Sequence, residues 1–179
     1  CAWLRARVPA VRFVAPMANA AARERFVQAW RVAGAGAVVV LDGQAQAAMT
    51  AADVVLVASG TATLEATLCK RPMVVAYRLS AATAATFRWL GLMKAAHFAQ
   101  PNLLAGERVV PELFQEQATG PALGAALLDW LEHPARIQAV EERFLAIHQD
   151  LRRDASARAA EAVLRLARRS GSAEPAQSQ

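Results

Sequence analysis

Short apolar runs alternate along this chain with stretches whose apolar positions recur every three or four residues, and the changes of period fall at Gly, Pro, Asn or Asp. Residues 11–15 make the first strand candidate. A helical pattern follows from Asn19 through Phe26, Val27 and Trp30 and stops at Gly34 and Gly36. Residues 37–41 then read as a buried strand ending at Asp42-Gly43, 44–51 as a short helix, 54–57 as a strand, 61–69 as its helix and 72–77 as a further strand. Continuous apolar strands alternating with helices predict an α/β fold, with a Rossmann-like, doubly wound parallel sheet covered by helices on both faces.

The second half has a different texture. Residues 80–94 read as helical, with Phe87, Trp89 and Leu90 supplying apolar area. A looser segment over 95–108 holds Gln100-Pro101-Asn102 and Gly106 and is expected to cross the ligand side; Pro101 biases Gln100 away from helix. Beyond Pro111 the pattern is wholly helical. Residues 122–131 form one amphipathic segment, and Pro134 opens another in which Ile137, Val140, Phe144, Ile147 and Leu151 make an apolar seam. That seam needs a partner, either another part of the chain or a second subunit. A break is expected at 152–154, after which 155–168 continues with Ala159, Val163 and Leu166.

With 179 residues, 55% hydrophobic and 20% charged, the chain is long enough for one substantial core and is not a disordered sequence. No run approaches the apolar length of a bilayer span, since even 45–58 is broken by Gln46 and Asp53. The chain begins at Cys1 without a basic and apolar leader, so a piece of a longer protein is expected rather than a secreted precursor. Cys1 and Cys69 make no disulfide framework, which fits a reducing cytoplasm. The net charge of +5 suits an anionic ligand or lipid surface. The basic residues are dispersed and lack an aromatic-basic stripe, so no nucleic-acid partner is expected. Arg152, Arg153, Arg158, Arg165, Arg168 and Arg169 alternate with Asp154 and Glu161, a pattern of a solvated helical face or of attraction to a membrane surface.

The segment Ala58-Ser59-Gly60-Thr61-Ala62-Thr63-Leu64-Glu65 carries the candidate chemistry, because an apolar strand ends there in small residues and a helix begins. A helix start leaves unpaired N–H groups and the positive end of the dipole, where a phosphate settles if no bulky side chain intervenes. Gly60 removes that obstacle. Glu65 stands one turn after Thr61 on roughly the same face, as an acceptor for ribose hydroxyls. On the local pattern alone, ordinary capping is the leading explanation of Ser-Gly-Thr, although Glu65 is not at capping-box spacing from Ser59 or Thr61. The position beyond the carboxyl end of a strand raises the ligand reading above it. Asn102 offers a donor and an acceptor for a base or sugar, or makes a simple Asx turn. His97, His133 and His148 lack metal-ligand spacing, so no metal is expected. The phosphate-loop, nucleophile-elbow and dinucleotide fingerprints are missing from the sequence.

The string D-V-V-L-V-A-S-G-T-A-T-L-E-A-T-L, followed by K-R-P-M-V-V-A-Y-R and P-N-L-L-A-G-E-R-V-V-P-E-L-F-Q-E, strongly resembles the bacterial lipid-A-disaccharide synthase family. The likeness extends from about Val8 through Pro16 to Asn19, and on to F-L-A-I-H-Q-D-L-R-R near 144–153. It implies the C-terminal, nucleotide-binding half of a two-domain GT-B glycosyltransferase that uses no metal or cofactor. It implies transfer of 2,3-diacylglucosamine from its UDP derivative to 2,3-diacylglucosamine 1-phosphate, with release of UDP. On that resemblance, 1–133 is the Rossmann-like nucleotide-sugar-binding domain, 134–169 a helical segment packing on the other domain or subunit, and 170–179 a disordered tail. Ser59, Gly60, Thr61 and Ala62 would hold the diphosphate, Glu65 the ribose, Arg78 would add positive charge, and Gln100 and Asn102 would lie beside the nucleotide and sugar. The catalytic residues and acceptor pocket would precede Cys1, leaving this chain inactive alone. The resemblance further implies a cytoplasmic enzyme peripheral to the inner membrane and a homodimer through C-terminal elements. The readings that compete with it are another UDP-sugar enzyme and a non-catalytic α/β interaction module.

Overall fold

The computed structural model describes residues 1–58, 60–79 and 97–171; Ser59, the helix expected over 80–94 with Phe87, Trp89 and Leu90, and the tail residues 172–179 lie outside the described residues, as do the side chains of Leu166, Arg168 and Arg169. Helix α1 (Ala2–Arg5) precedes β1 (Val14–Met17), α2 (Ala20–Ala33), β2 (Val39–Asp42), α3 (Ala45–Ala51), β3 (Val55–Ala58), α4 (Thr61–Leu68) and β4 (Met73–Tyr77). There follow α5 (Gln100–Ala105), β5 (Glu112–Phe114), a 3-10 turn over Gln115–Gln117, α6 (Gly120–Glu132), α7 (Pro134–Leu151) and α8 (Ala155–Gly171). Helix α2 starts where Asn19 accepts a hydrogen bond from the Ala22 N–H at 2.8 Å, and it stops at Gly34 in the left-handed conformation, as its sequence predicts.

The fold is α/β, with parallel sheets flanked by helices. The described strands form a two-stranded sheet of β1 and β2 and a three-stranded sheet in the order β3-β4-β5. Val14 pairs with Val39 in the first; Val55 pairs with Met73 and Val75 with Glu112 in the second. The Val39 and Gly43 N–H groups donate to the Phe13 and Met17 carbonyls, so residues 13, 15 and 17 face β2 while Val14 and Pro16 face away. Pro16 has no N–H, which suits this side of β1 to an edge.

Several elements differ from the sequence expectation: it contains no counterpart of the short helix α1, and the first strand lies over 14–17 rather than 11–15. The looser segment over 95–108 contains a helix, α5, with Pro101 in its first turn, where a missing N–H removes no helical bond. The residue held extended is Ala99, not Gln100. The stretch after Pro111 is not wholly helical, because 112–114 add to β4 as a third parallel strand. Residues 170 and 171, assigned to the tail by sequence, belong to the end of α8.

By its contacts the chain divides into Cys1–Ile147 and His148–Gln179. The core of the first unit surrounds β4, whose Met73, Val74 and Val75 are buried. Val57, Ala66, Ala99, Val110 and Leu127 join them, as do Val140, Phe144 and Ile147 of the α7 seam. The seam therefore finds its partner within the same chain over these three residues, while Leu151 is exposed. Trp130 of α6 is 2% exposed and its indole N–H donates to the Met73 carbonyl at 3.1 Å. Pairing of β4 with β5 begins only at Val75, so the indole serves a carbonyl beyond the reach of β5. Helix α1 packs on α6 through Gly124, where any Cβ would run into the Trp3 ring. In the second unit, α8 begins after Asp154, which adopts a left-handed backbone (φ 50°) and gives the break expected at 152–154.

Two substitutions probe this core. Phe144 is fully buried, and Phe144→Ala is expected to cost about 3–5 kcal/mol in a urea unfolding titration. Trp130→Phe keeps most of the ring but leaves the Met73 carbonyl unpaired, and is expected to cost about 1–3 kcal/mol in the same assay.

Candidate functional site

The carboxyl ends of parallel strands are where α/β folds place their ligands, and β3 delivers the chain to such a point. After β3, Gly60 takes φ 143° and ψ −162°, a conformation that a side chain would strain, and serves as the N-cap of α4. Gly60 itself brings no side chain to cap this helix start, and Ser59 before it lies outside the described residues. Gly60, Thr61 and Glu65 are exposed and Ala62 is partly buried, so the opening turn faces solvent. Thr61 and Glu65, four residues apart, share one side of α4.

The inner side of the same turn is closed by threonines. Thr63 is fully buried; its hydroxyl donates to the Gly60 carbonyl at 2.7 Å, and its backbone N–H reaches that carbonyl at 3.1 Å. Thr67, also buried, donates its hydroxyl to the Thr63 carbonyl at 2.7 Å. Each hydroxyl is satisfied within its own helix, so polar residues occupy the core side of α4 without an unpaired donor.

Helix α5 starts against α4. The Gln100 N–H lies 3.4 Å from the Thr63 hydroxyl oxygen, while the Gln100 Oε1 is buried without a hydrogen-bond partner among the described residues. Asn102 is fully buried and uses every hydrogen-bonding position of its amide. Its Nδ2 donates to the Val110 carbonyl at 2.9 Å and to Glu112 Oε1 at 2.7 Å, and its Oδ1 accepts from the Val109 N–H at 2.8 Å and the Val110 N–H at 2.9 Å. Direct contact between Asn102 and a base or sugar does not fit this geometry, and the residue makes no simple Asx turn. It ties α5 to the strand that follows.

Gly60, Thr61, Ala62 and Glu65 thus share one helix start, and Thr63 brings Gln100 to it. Arg78 is exposed just after β4, and no described hydrogen bond or ion pair joins it to α4. Ser59 lies among the residues not described. Three participants have no site role in the sequence expectation: Thr63, Glu112 and the aromatic stack at the ends of β4 and β5. In that stack Tyr77 and Phe98 lie on Phe114, with centroids 5.7 and 5.0 Å apart. The acid opening the string E-L-F was visible, but its partners at Phe98, Ala99 and Asn102 follow no local period.

The family model described as lipid-A-disaccharide synthetase matches residues 2–164. The lipid-A-disaccharide synthase of Xylella fastidiosa (strain 9a5c) is 58% identical over 126 residues, covering 70% of this chain and 33% of that protein. Those of Xanthomonas axonopodis pv. citri (strain 306) and Xanthomonas campestris pv. campestris (strain 8004) are 57% identical over 123 residues and 56% over 126, covering 28% and 29% of their lengths. The chain spans about a third or less of the curated relatives it matches. With the family model covering α1 to α7 and most of α8, the chain belongs to the lipid-A-disaccharide synthase family.

Proposed function

We propose that this chain is the UDP-binding part of a glycosyltransferase of lipid A biosynthesis. The full enzyme would transfer 2,3-diacylglucosamine from its UDP derivative to 2,3-diacylglucosamine 1-phosphate, giving the disaccharide 1-phosphate and UDP. The observation that carries the reading is the family match over α4, combined with an exposed first turn of that helix that begins at a glycine. UDP leaves as a diphosphate, so the chemistry asks for stabilisation of negative charge on the departing oxygen. Backbone N–H groups from Ser59 to Ala62 and the dipole of α4 supply it without a metal. Glu65, on the exposed side of the same helix, accepts from ribose hydroxyls. Gln100 completes the pocket wall through its unpaired amide oxygen, Arg78 adds positive charge, and Asn102 holds the wall in place without touching the nucleotide.

The acceptor pocket and the proton-transferring group belong, on this reading, to residues beyond the chain. Among the described residues no helix is long and apolar enough to cross a membrane. Substrates that carry acyl chains in a membrane are then met by a cytoplasmic enzyme working at the inner-membrane surface, which the arginine-rich α8 favours. A homodimer through the C-terminal elements is part of the same proposal.

Calorimetric titration with UDP, with ADP as control, tests the reading on this chain and on the chain joined to the remaining length of its relatives. Selective UDP binding is expected, weakened about tenfold or more in Glu65→Ala by loss of a charge-assisted hydrogen bond. UDP binding by neither protein, both being folded, rejects the proposal. Gly60→Ala is expected to lower stability by about 1–3 kcal/mol through backbone strain and to weaken UDP as the turn shifts, both read from thermal melts with and without UDP.

A further inference from the structure

Helix α5 begins at Ala99, which has no side chain able to cap it, yet the donors there are not left unpaired. Glu112, the first residue of β5, meets them from 13 residues away: its Oε1 accepts from the Ala99 N–H at 2.8 Å and its Oε2 from the Phe98 N–H at 3.0 Å. Oε1 also takes the Asn102 Nδ2 at 2.7 Å. A Ser or Asp at position 99 would cap the helix locally, so stability alone does not call for an acid on a separate strand. What the strand-borne acid adds is position, because it fixes the start of α5 relative to the sheet edge.

The residue immediately after this clamp is Gln100. Its N–H approaches the Thr63 hydroxyl, which in turn donates to the Gly60 carbonyl, and its Oε1 is buried with no partner among the described residues. An unbroken set of contacts therefore runs from Glu112 through Ala99 and Gln100 to the turn before α4. The carboxylate also occupies the N–H groups of Phe98 and Ala99, so the start of α5 is already neutralised by an internal anion, whereas α4 begins at a glycine that brings no side chain and no charge.

We propose that Glu112 is a positioning residue for the nucleotide site. It holds α5 so that the unpaired Gln100 amide oxygen stands beside the opening turn of α4, where it accepts a hydrogen bond from a donor on the nucleoside, and it confines the diphosphate to α4. This rests on the UDP reading above.

A double-substitution cycle tests it, run on whichever of the two proteins in the titration above binds UDP. Glu112→Gln and Gln100→Ala are each expected to raise the UDP dissociation constant about tenfold, and the double variant to raise it about tenfold as well, since the first acts through the second. Effects that multiply to about a hundredfold, or a Glu112→Gln protein that melts earlier but binds UDP unchanged, overturn the proposal. If Glu112→Gln does not fold, Glu112→Asp takes its place in the cycle; loss of the fold in both assigns Glu112 to stability alone and also overturns it. Failure of the UDP reading shows separately, as absence of binding by the unsubstituted protein, and removes both.

Discussion

A helix cannot begin without leaving backbone N–H groups unpaired, and the way each start meets this demand organises the molecule. At α2 the Asn19 side chain does so, at α6 the Thr119 hydroxyl accepts from the Ala122 N–H at 3.3 Å, and at α5 a carboxylate arrives from a neighbouring strand. Neither Gln44 at α3 nor Gly60 at α4 supplies a side-chain cap. Of these two, α4 follows a strand of the three-stranded sheet, begins at a glycine whose backbone a side chain would strain, and leaves its first turn exposed. The contrast between α4 and α5 is electrostatic. Two adjacent helix starts would both attract anions, and an internal acid answers one of them.

That arrangement is only as stable as the sheet beneath it. Strand β4 is paired on both sides and buried along Met73, Val74 and Val75, so it sets the heights at which β3 and β5 end. The last pairs are Ala58 with Ala76 and Tyr77 with Phe114, which places the exits of all three strands at one edge. Leu79 leaves β4 with its N–H on the Gln115 side chain at 2.8 Å, fastening two of those exits together. The stacked Tyr77, Phe114 and Phe98 add apolar area at the same edge. At the far end of α5, Arg143 of α7 reaches the Ala105 carbonyl at 3.2 Å and Glu107 at 3.0 Å, an exposed contact worth little energy but consistent with the path of the helix.

Most of the first half was legible from period and punctuation alone. Asn19, Gly34 and the runs ending at Leu41, Val57 and Tyr77 mark boundaries within one or two residues of those in the structure, because capping and burial in parallel strands are local in sequence. The turn at Gly60 was legible for the same reason. Helix α5 and strand β5 were not. A six-residue helix opening on Gln-Pro and a three-residue strand are too short to establish a period, and both exist because Asn102 and Glu112 bind them to each other. Asn102 suggested a ligand contact since its amide is polar and its neighbours looked loop-like. Its partners at Val109, Val110 and Glu112 become visible only once the chain has turned back on itself.

The hydrogen bond from Trp130 to the Met73 carbonyl joins residues 57 apart in the chain. Strand β4 precedes in sequence both the indole that closes its first carbonyl and the α7 side chains that bury the same core. The α/β portion of this chain therefore cannot complete its core before α6 and α7 have been made. Strands β3 and β4 must wait, partly covered, for helices that in sequence lie beyond every residue of the proposed nucleotide site, which makes a truncation in α6 or α7 damaging to a pocket it never touches.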